Sequence, residues 1–188
     1  MKRLLLAMIA ATGIVFVAMV SLAYSVDTIA TWSLPTVPIS LWLNALVGGP
    51  LLAAITLYAA QWRALAGRFG LLLMTVPLIA LAANMVAYIV QGRLLNGVAN
   101  SVVAAADLVP HYHTMLLAFA LMCFAGCVLA AFTMHNVSRE AVAHGGGELA
   151  LSKRVLVRLL VACLLVFAGI FVMRFAFYMM HLTIGLAV

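Results

Sequence analysis

Hydrophobic positions in this chain come in long unbroken stretches, separated by short polar gaps. Five apolar runs cover roughly 4–24, 38–61, 69–91, 112–134 and 155–180. Each reaches the ~20 residues that a helix needs to cross the hydrocarbon core of a bilayer. None alternates between apolar and polar residues, as the strands of a membrane barrel would. The pattern therefore predicts an all-α, polytopic membrane helix bundle of five transmembrane helices, forming one domain over 1–188. No repeat with a period of about 20–50 residues is visible, and no inverted pair of segments.

The first run follows Lys2 and Arg3, and Ser21-Leu22-Ala23 resembles a cleavage site, so a cleaved signal peptide is the competing reading. Its apolar core of about 17 residues exceeds the ~7–15 of a signal peptide, which favours a retained helix. The gaps differ in character. Residues 25–37 hold Asp27 and Trp32 but no Lys or Arg, and 62–68 form a tight basic turn. Residues 92–111 hold Arg93 and Asp107; within them 98–108 is expected to form a short interfacial helix, stopped at Pro110. Residues 135–154 carry Arg139, Glu140, Glu148, Lys153 and Arg154 around a flexible Gly145-Gly146-Gly147 tip.

Composition agrees with the pattern. Of the 188 residues, 68% are hydrophobic and 7% charged, and the mean hydropathy is +1.27. Soluble domains carry about 25% charged residues, so a soluble surface is excluded. High apolar content also excludes disorder. The net charge of +6 carries no nucleic-acid meaning, because the basic residues sit at the ends of apolar runs rather than on one aromatic-lined face. They act as topology signals. Lys2, Arg3, Arg63, Arg68, Arg139, Lys153, Arg154 and Arg158 fall on one side; Arg93 and Arg174 fall on the other. The positive-inside rule then puts the N-terminus in the cytoplasm and the C-terminus in the periplasm. Asp27, Asp107, His111, His113 and His181 share the outer side, with Tyr24, Trp32, Trp42, Tyr88, Tyr112 and Tyr178.

That clustering directs attention to the outer end. Arg174, Tyr178 and His181 are spaced by four and three residues, which on a helix is one stripe. Arg174 can snorkel to the surface, or the three can line a polar pocket. A quinone headgroup calls for this set: donors to two carbonyl oxygens, and a proton acceptor that works near neutrality, as an imidazole does. Asp107, His111, Tyr112 and His113 sit where an outer gap meets the fourth run, suited to proton release or to a solvated helix start. Gly48, Gly49 and Pro50 fall in the middle of the second run and predict a kink or local unwinding there. Asn44 and Asn84 are expected to hydrogen-bond between helices. Cys123, Cys127 and Cys163 lack disulfide or zinc spacing and read as small buried hydrophobes. A bis-histidine haem is disfavoured: His113 and His135 lie at opposite ends of one run, about 33 Å apart.

These segments carry a resemblance. Tyr24-Ser25-Val26-Asp27-Thr28 with Trp32, then Gly48-Gly49-Pro50-Leu51-Leu52, then Ala105-Ala106 and Leu108-Val109-Pro110 with Tyr112, then Arg174 with Phe177-Tyr178, His181, Thr183, Gly185 and Ala187-Val188, follow one another in a familiar order. In them the chain resembles the membrane anchor subunit of dimethyl sulfoxide reductase, within the quinol-oxidising anchors of molybdoenzymes. The resemblance implies a non-catalytic subunit, without a covalently bound or metal-ligated cofactor, in a bacterial inner membrane. Its implied partners are an iron–sulfur subunit and a molybdopterin catalytic subunit, with menaquinol as the diffusible electron donor. Family anchors have about eight helices, and this chain looks like the last five. The family's early helices carry a histidine and an acidic residue associated with quinol oxidation, and no position here corresponds to them. Arg174, Tyr178 and His181, with His111 and Tyr112 opposite, are the quinol-site candidates; His113 and Asp107 are candidates for proton release, and Asp27 and Trp32 for docking the iron–sulfur subunit. The competing readings are a purely structural anchor, a b-type cytochrome subunit, and a small transporter motivated by the broken second run.

Overall fold

The computed structural model describes residues 2–143 and 152–183. The Gly145-Gly146-Gly147 tip, Glu148, Gly185 and Ala187-Val188 lie outside the described residues. The order of elements is α1 (Lys2–Ala23), α2 (Thr36–Ala59), a 3-10 turn (Arg63–Ala66), α3 (Arg68–Leu95), a single turn α4 (Ala105–Leu108), α5 (Tyr112–Ala143) and α6 (Lys153–Met179). Five of these are long and apolar enough to cross a membrane. The fold is the expected all-α helix bundle.

The bundle is apolar outside, as a lipid-facing surface requires. Leu72, Ile79 and Val86, spaced by seven residues on α3, all point outward and are exposed. Leu117, Leu121 and Phe124 do the same on α5. The interior, by contrast, holds both large hydrophobes such as Phe119, Met134, Leu159 and Met173 and the polar residues Ser40, Asn44, Asn84 and Gln91. α5 and α6 form the most extensive pair, followed by α2 with α3 and α3 with α5. α1 touches chiefly α2, and it is exposed along nearly its whole length.

Helix ends depart from the apolar runs in instructive places. α3 continues to Leu95 and α5 to Ala143, well past the apolar stretches, because Leu95 and Val137 are buried against the bundle. α2 runs unbroken through Pro50, so no unwinding occurs there. It ends in a Schellman-type turn: Gln61 takes a left-handed φ of 53°, and the Trp62 N–H bonds Leu57 O at 3.0 Å. The Tyr58 hydroxyl accepts a 3.0 Å hydrogen bond from the Ser152 N–H, tying the start of α6 to the end of α2.

The interfacial helix expected over 98–108 is corrected to one turn, 105–108. Asn100 supplies the reason. Its Oδ1 accepts the N–H groups of Val102 and Val103 at 2.9 and 2.8 Å, an Asx-type turn that competes with helix. The chain then closes a small loop in which Ala99 pairs with Ala104, and the Ala105 N–H reaches Val98 O at 2.9 Å.

Candidate functional site

The link from α1 to α2 and the segment leaving α6 are bound to each other at one end of the bundle. Ile29 and Thr183 form an antiparallel bridge, and the Ala30 N–H donates to Leu182 O at 3.1 Å. The Thr31 hydroxyl donates to Met180 O, and Asn100 Nδ2 donates to Thr183 O at 3.4 Å. These bonds draw the backbone out of helical geometry after Met179. His181 therefore does not continue the helical stripe of Arg174 and Tyr178, as the spacing predicted. It lies past the helix end, exposed, with its ring edge-on to Trp32 at 5.2 Å.

Around this clasp the aromatic residues converge on Arg174. Its guanidinium lies over the rings of Phe177, Tyr24 and Tyr178, at 4.4, 5.0 and 5.7 Å from their centroids. Such cation–π contacts favour a cation held against apolar surface. Trp32 stacks on Phe177 with centroids 4.8 Å apart, and its indole N–H donates to Phe177 O at 3.3 Å. The Tyr24 and Tyr178 hydroxyls are hydrogen-bonded at 2.7 Å. That bond raises the Tyr24 phenol above its ordinary value. The cluster thus offers a fixed cation, two phenols and an exposed imidazole along an aromatic wall.

The second constellation builds a different place. Tyr112 is buried; its hydroxyl donates to Tyr88 O at 2.8 Å, and its ring fills the space beside Gly92. A Cβ at Gly92 would stand 2.8 Å from Tyr112 Cε1, so only glycine admits the ring. Beside it a cleft of about 190 Å³ is lined by Gly92, Asn96, Val109, Pro110, Tyr112 and His113. His111 and Asp107 are exposed and do not line it. The residues of this cleft and those around Arg174 are two different sets. Asp27 is exposed on the α1–α2 link, whereas Trp32 is half-buried in the aromatic cluster. Among the described residues no group of three or more His, Cys, Asp or Glu side chains is placed to hold a metal ion.

The geometry can be set beside known proteins. A family model described as DMSO reductase anchor subunit (DmsC) matches residues 1–180. The chain belongs to the DMSO reductase anchor subunit family. It is 29% identical to the anaerobic dimethyl sulfoxide reductase protein YnfH of Escherichia coli (strain K12) over 180 residues, 95% of this chain and 56% of that one. It is 32% identical to another anaerobic dimethyl sulfoxide reductase subunit of the same organism over 177 residues, 94% of this chain and 56% of that one. The chain thus spans little more than half the length of these relatives. No solved structure matches. As a member of this anchor family with five apolar helices, the chain is a multi-pass membrane protein.

Within this anchor-family chain, sequence reasoning left two residues of the Arg174 cluster, Phe177 and Tyr24, out of its site candidates, and Tyr24 is the one that comes from a distant part of the sequence. Its signal was present: a tyrosine directly after a span, eight residues before Trp32. What could not be read was that the far end of the chain brings Arg174 onto its ring.

Proposed function

We propose that this chain anchors a dimethyl sulfoxide reductase-like complex in a bacterial inner membrane and binds menaquinol at the Arg174 end of the bundle. The observation that carries this reading is the Arg174 guanidinium set among Tyr24, Phe177 and Tyr178, beside the exposed His181. Arg174 and the phenols orient the oxygens of the headgroup, while Trp32 and Phe177 offer a flat apolar wall. Oxidation of a quinol releases two electrons and two protons. In this reading the electrons pass to the iron–sulfur subunit and on to the molybdopterin subunit. His181 takes a proton from a quinol hydroxyl, and solvent receives it; His111, His113 and Asp107 add titratable groups at the same end. The distribution of basic residues puts this end in the periplasm. Asp27, exposed on the same end, is available for contact with the iron–sulfur subunit.

The test uses the complex carrying this chain in proteoliposomes. Menaquinol-analogue oxidation is compared with acceptor reduction driven by a low-potential dye that bypasses the membrane. His181→Ala is expected to lower kcat with the quinol donor by about 100-fold, the usual scale of a lost proton acceptor. Arg174→Gln is expected chiefly to raise KM. Dye-driven turnover should stay unchanged in both. Equal quinol turnover in wild type and both variants would leave a structural anchor without a quinol site of its own.

A further inference from the structure

Three buried polar side-chain atoms lack a hydrogen-bond partner among the described residues: Thr36 Oγ1, Asn84 Oδ1 and Gln91 Oε1. Thr36 is a buried residue of α2, and Asn84 and Gln91 are buried residues of α3, the helix packed against it. The two helices are antiparallel neighbours, so each turn down α2 meets a turn up α3. That register makes polar rungs. Asn84 Nδ2 donates to Asn44 Oδ1 at 2.7 Å, and Asn44 Nδ2 donates to the Tyr88 hydroxyl at 3.0 Å. One turn nearer the start of α2, the Ser40 hydroxyl is also buried and donates to Val37 O at 2.9 Å within its own helix. By the same register Thr36 falls level with Gln91, whose Nε2 meets Met180 Sδ at 3.3 Å.

The unpaired atoms do not depend on how the amides are assigned. Exchanging O and N in Asn44 and Asn84 reverses the bond between them but leaves one Asn84 atom without a partner. Exchanging them in Gln91 likewise leaves one amide atom facing nothing. An unpaired amide inside a bilayer is costly, since no bulk water reaches it. The usual remedy is an internal water that makes two to four hydrogen bonds. The outer end of the α2–α3 seam lies at Thr36, which begins α2, and Gln91, one turn from the end of α3, both of them buried. The seam also has a floor. Beyond Asn44 and Asn84 the buried residues turn apolar, with Val47, Leu51, Ala80 and Leu81.

We infer that the α2–α3 seam binds a file of internal water molecules, entering at Thr36 and Gln91 and ending blind at Asn44 and Asn84. The file is about 12 Å deep, eight residues of helix. It hydrates the bundle to part of its depth from one side, and its apolar floor keeps it from carrying protons across. Its entrance touches Met180, the residue before His181, yet the inference stands whatever the aromatic cluster binds.

Hydroxyl radicals made in place by an X-ray pulse oxidise side chains that lie next to water. The full chain in lipid nanodiscs is exposed, and oxidation rates, corrected for intrinsic reactivity, are read by mass spectrometry. Tyr88 is expected to react within about tenfold of the exposed Tyr178, although only 3% of its own surface is exposed. Phe119, which packs edge-on against Tyr88 at 5.2 Å and is fully buried, serves as the dry comparison and should react far more slowly. Asn84→Leu, with no polar atom at the inner rung, should slow Tyr88 oxidation at least about threefold. Thr36→Val, nearly isosteric at the entrance, should slow it as well and does not depend on the inner rung folding around a new side chain. Tyr88 reacting no faster than Phe119 in the wild type would overturn the inference, as would an unchanged Tyr88 rate in both variants.

Discussion

Two helix pairs in this bundle meet the same requirement by opposite means. Lipid tails are as apolar as leucine, so burial alone does not drive one helix against another in a membrane. α5 and α6 meet by shape. Gly126 lets the backbones close until a Cβ there would stand 2.6 Å from Ala162 O, and Gly169 does so from the other side against Cys123 and Phe119. α2 and α3 meet by polarity, through Asn44, Asn84 and Tyr88. The first joint depends on atoms that are missing, the second on atoms that are present. Adding a methyl should therefore break one, and removing an amide the other.

The largest effect is expected where an added methyl meets backbone. In Gly126→Ala the new Cβ collides with the Ala162 carbonyl and stands 2.8 Å from Val166 Cγ2, and a helix backbone cannot turn aside. The pair must separate, at a cost of about 3 kcal/mol, the upper range for overpacking. Unfolding in mixed micelles, followed by α5–α6 proximity, measures it. Gly169→Ala is the milder version of the same insult. Its Cβ stands 2.7 Å from the Cys123 sulfur, a side-chain atom that can rotate, and 3.2 Å from Phe119 O. About 1.5 kcal/mol is expected. Adding Cys123→Ala should recover most of that loss, because it removes the obstructing atom. A double variant as unstable as the sum of its parts would show that the carbonyl, not the sulfur, sets the limit.

The polar joint should be softer. Asn84→Ala leaves Asn44 Oδ1 without its donor, and about 1 kcal/mol is expected, near the values for hydrogen bonds between membrane helices. Adding Asn44→Ala then costs less than it does alone, since the pair is already broken. If Asn84→Ala proved more damaging than Gly126→Ala, the ranking of shape over polarity in this bundle would be reversed.

The spans were legible because lipid contact dictates apolar residues whatever the tertiary fold. Asn44 and Asn84 were each legible as an interhelical hydrogen-bonding residue, since a polar side chain inside a span must find a partner; that they bond each other was not. Helix ends were not, where packing rather than hydropathy decides: the polar tail of α5 beyond 134 stays helical with Val137 buried. The 98–105 loop escaped because one side chain, Asn100, redirects the backbone. At the Arg174 end, the contacts with Phe177 and Tyr178 follow from spacings of three and four on one helix. Those of Tyr24 and Trp32 come from the opposite end of the sequence, and His181 leaves the helix because the α1–α2 link holds the backbone around it. Gly126 and Gly169 gave no local signal, since a glycine's value in a span depends on which helix lies across from it.

The smallest predicted effects lie at the Gly48-Gly49 pair, where sequence invites the same reading for both residues and structure separates them. A Cβ on Gly48 would stand 3.1 Å from the Phe167 ring, whereas one on Gly49 would meet nothing within 4 Å. Gly49→Ala should therefore be neutral or stabilising by less than about 0.5 kcal/mol, because its methyl points outward and alanine holds helix better than glycine. Gly48→Ala should lose up to about 1 kcal/mol, limited by how far the exposed Phe167 ring can swing aside. Measured in the same micelle titration, a loss confined to Gly48 extends the rule of shape to the α2–α6 contact. An equal loss at Gly49 would mean that Pro50 needs a flexible residue just before it, and that the pair serves the backbone of α2 rather than its packing.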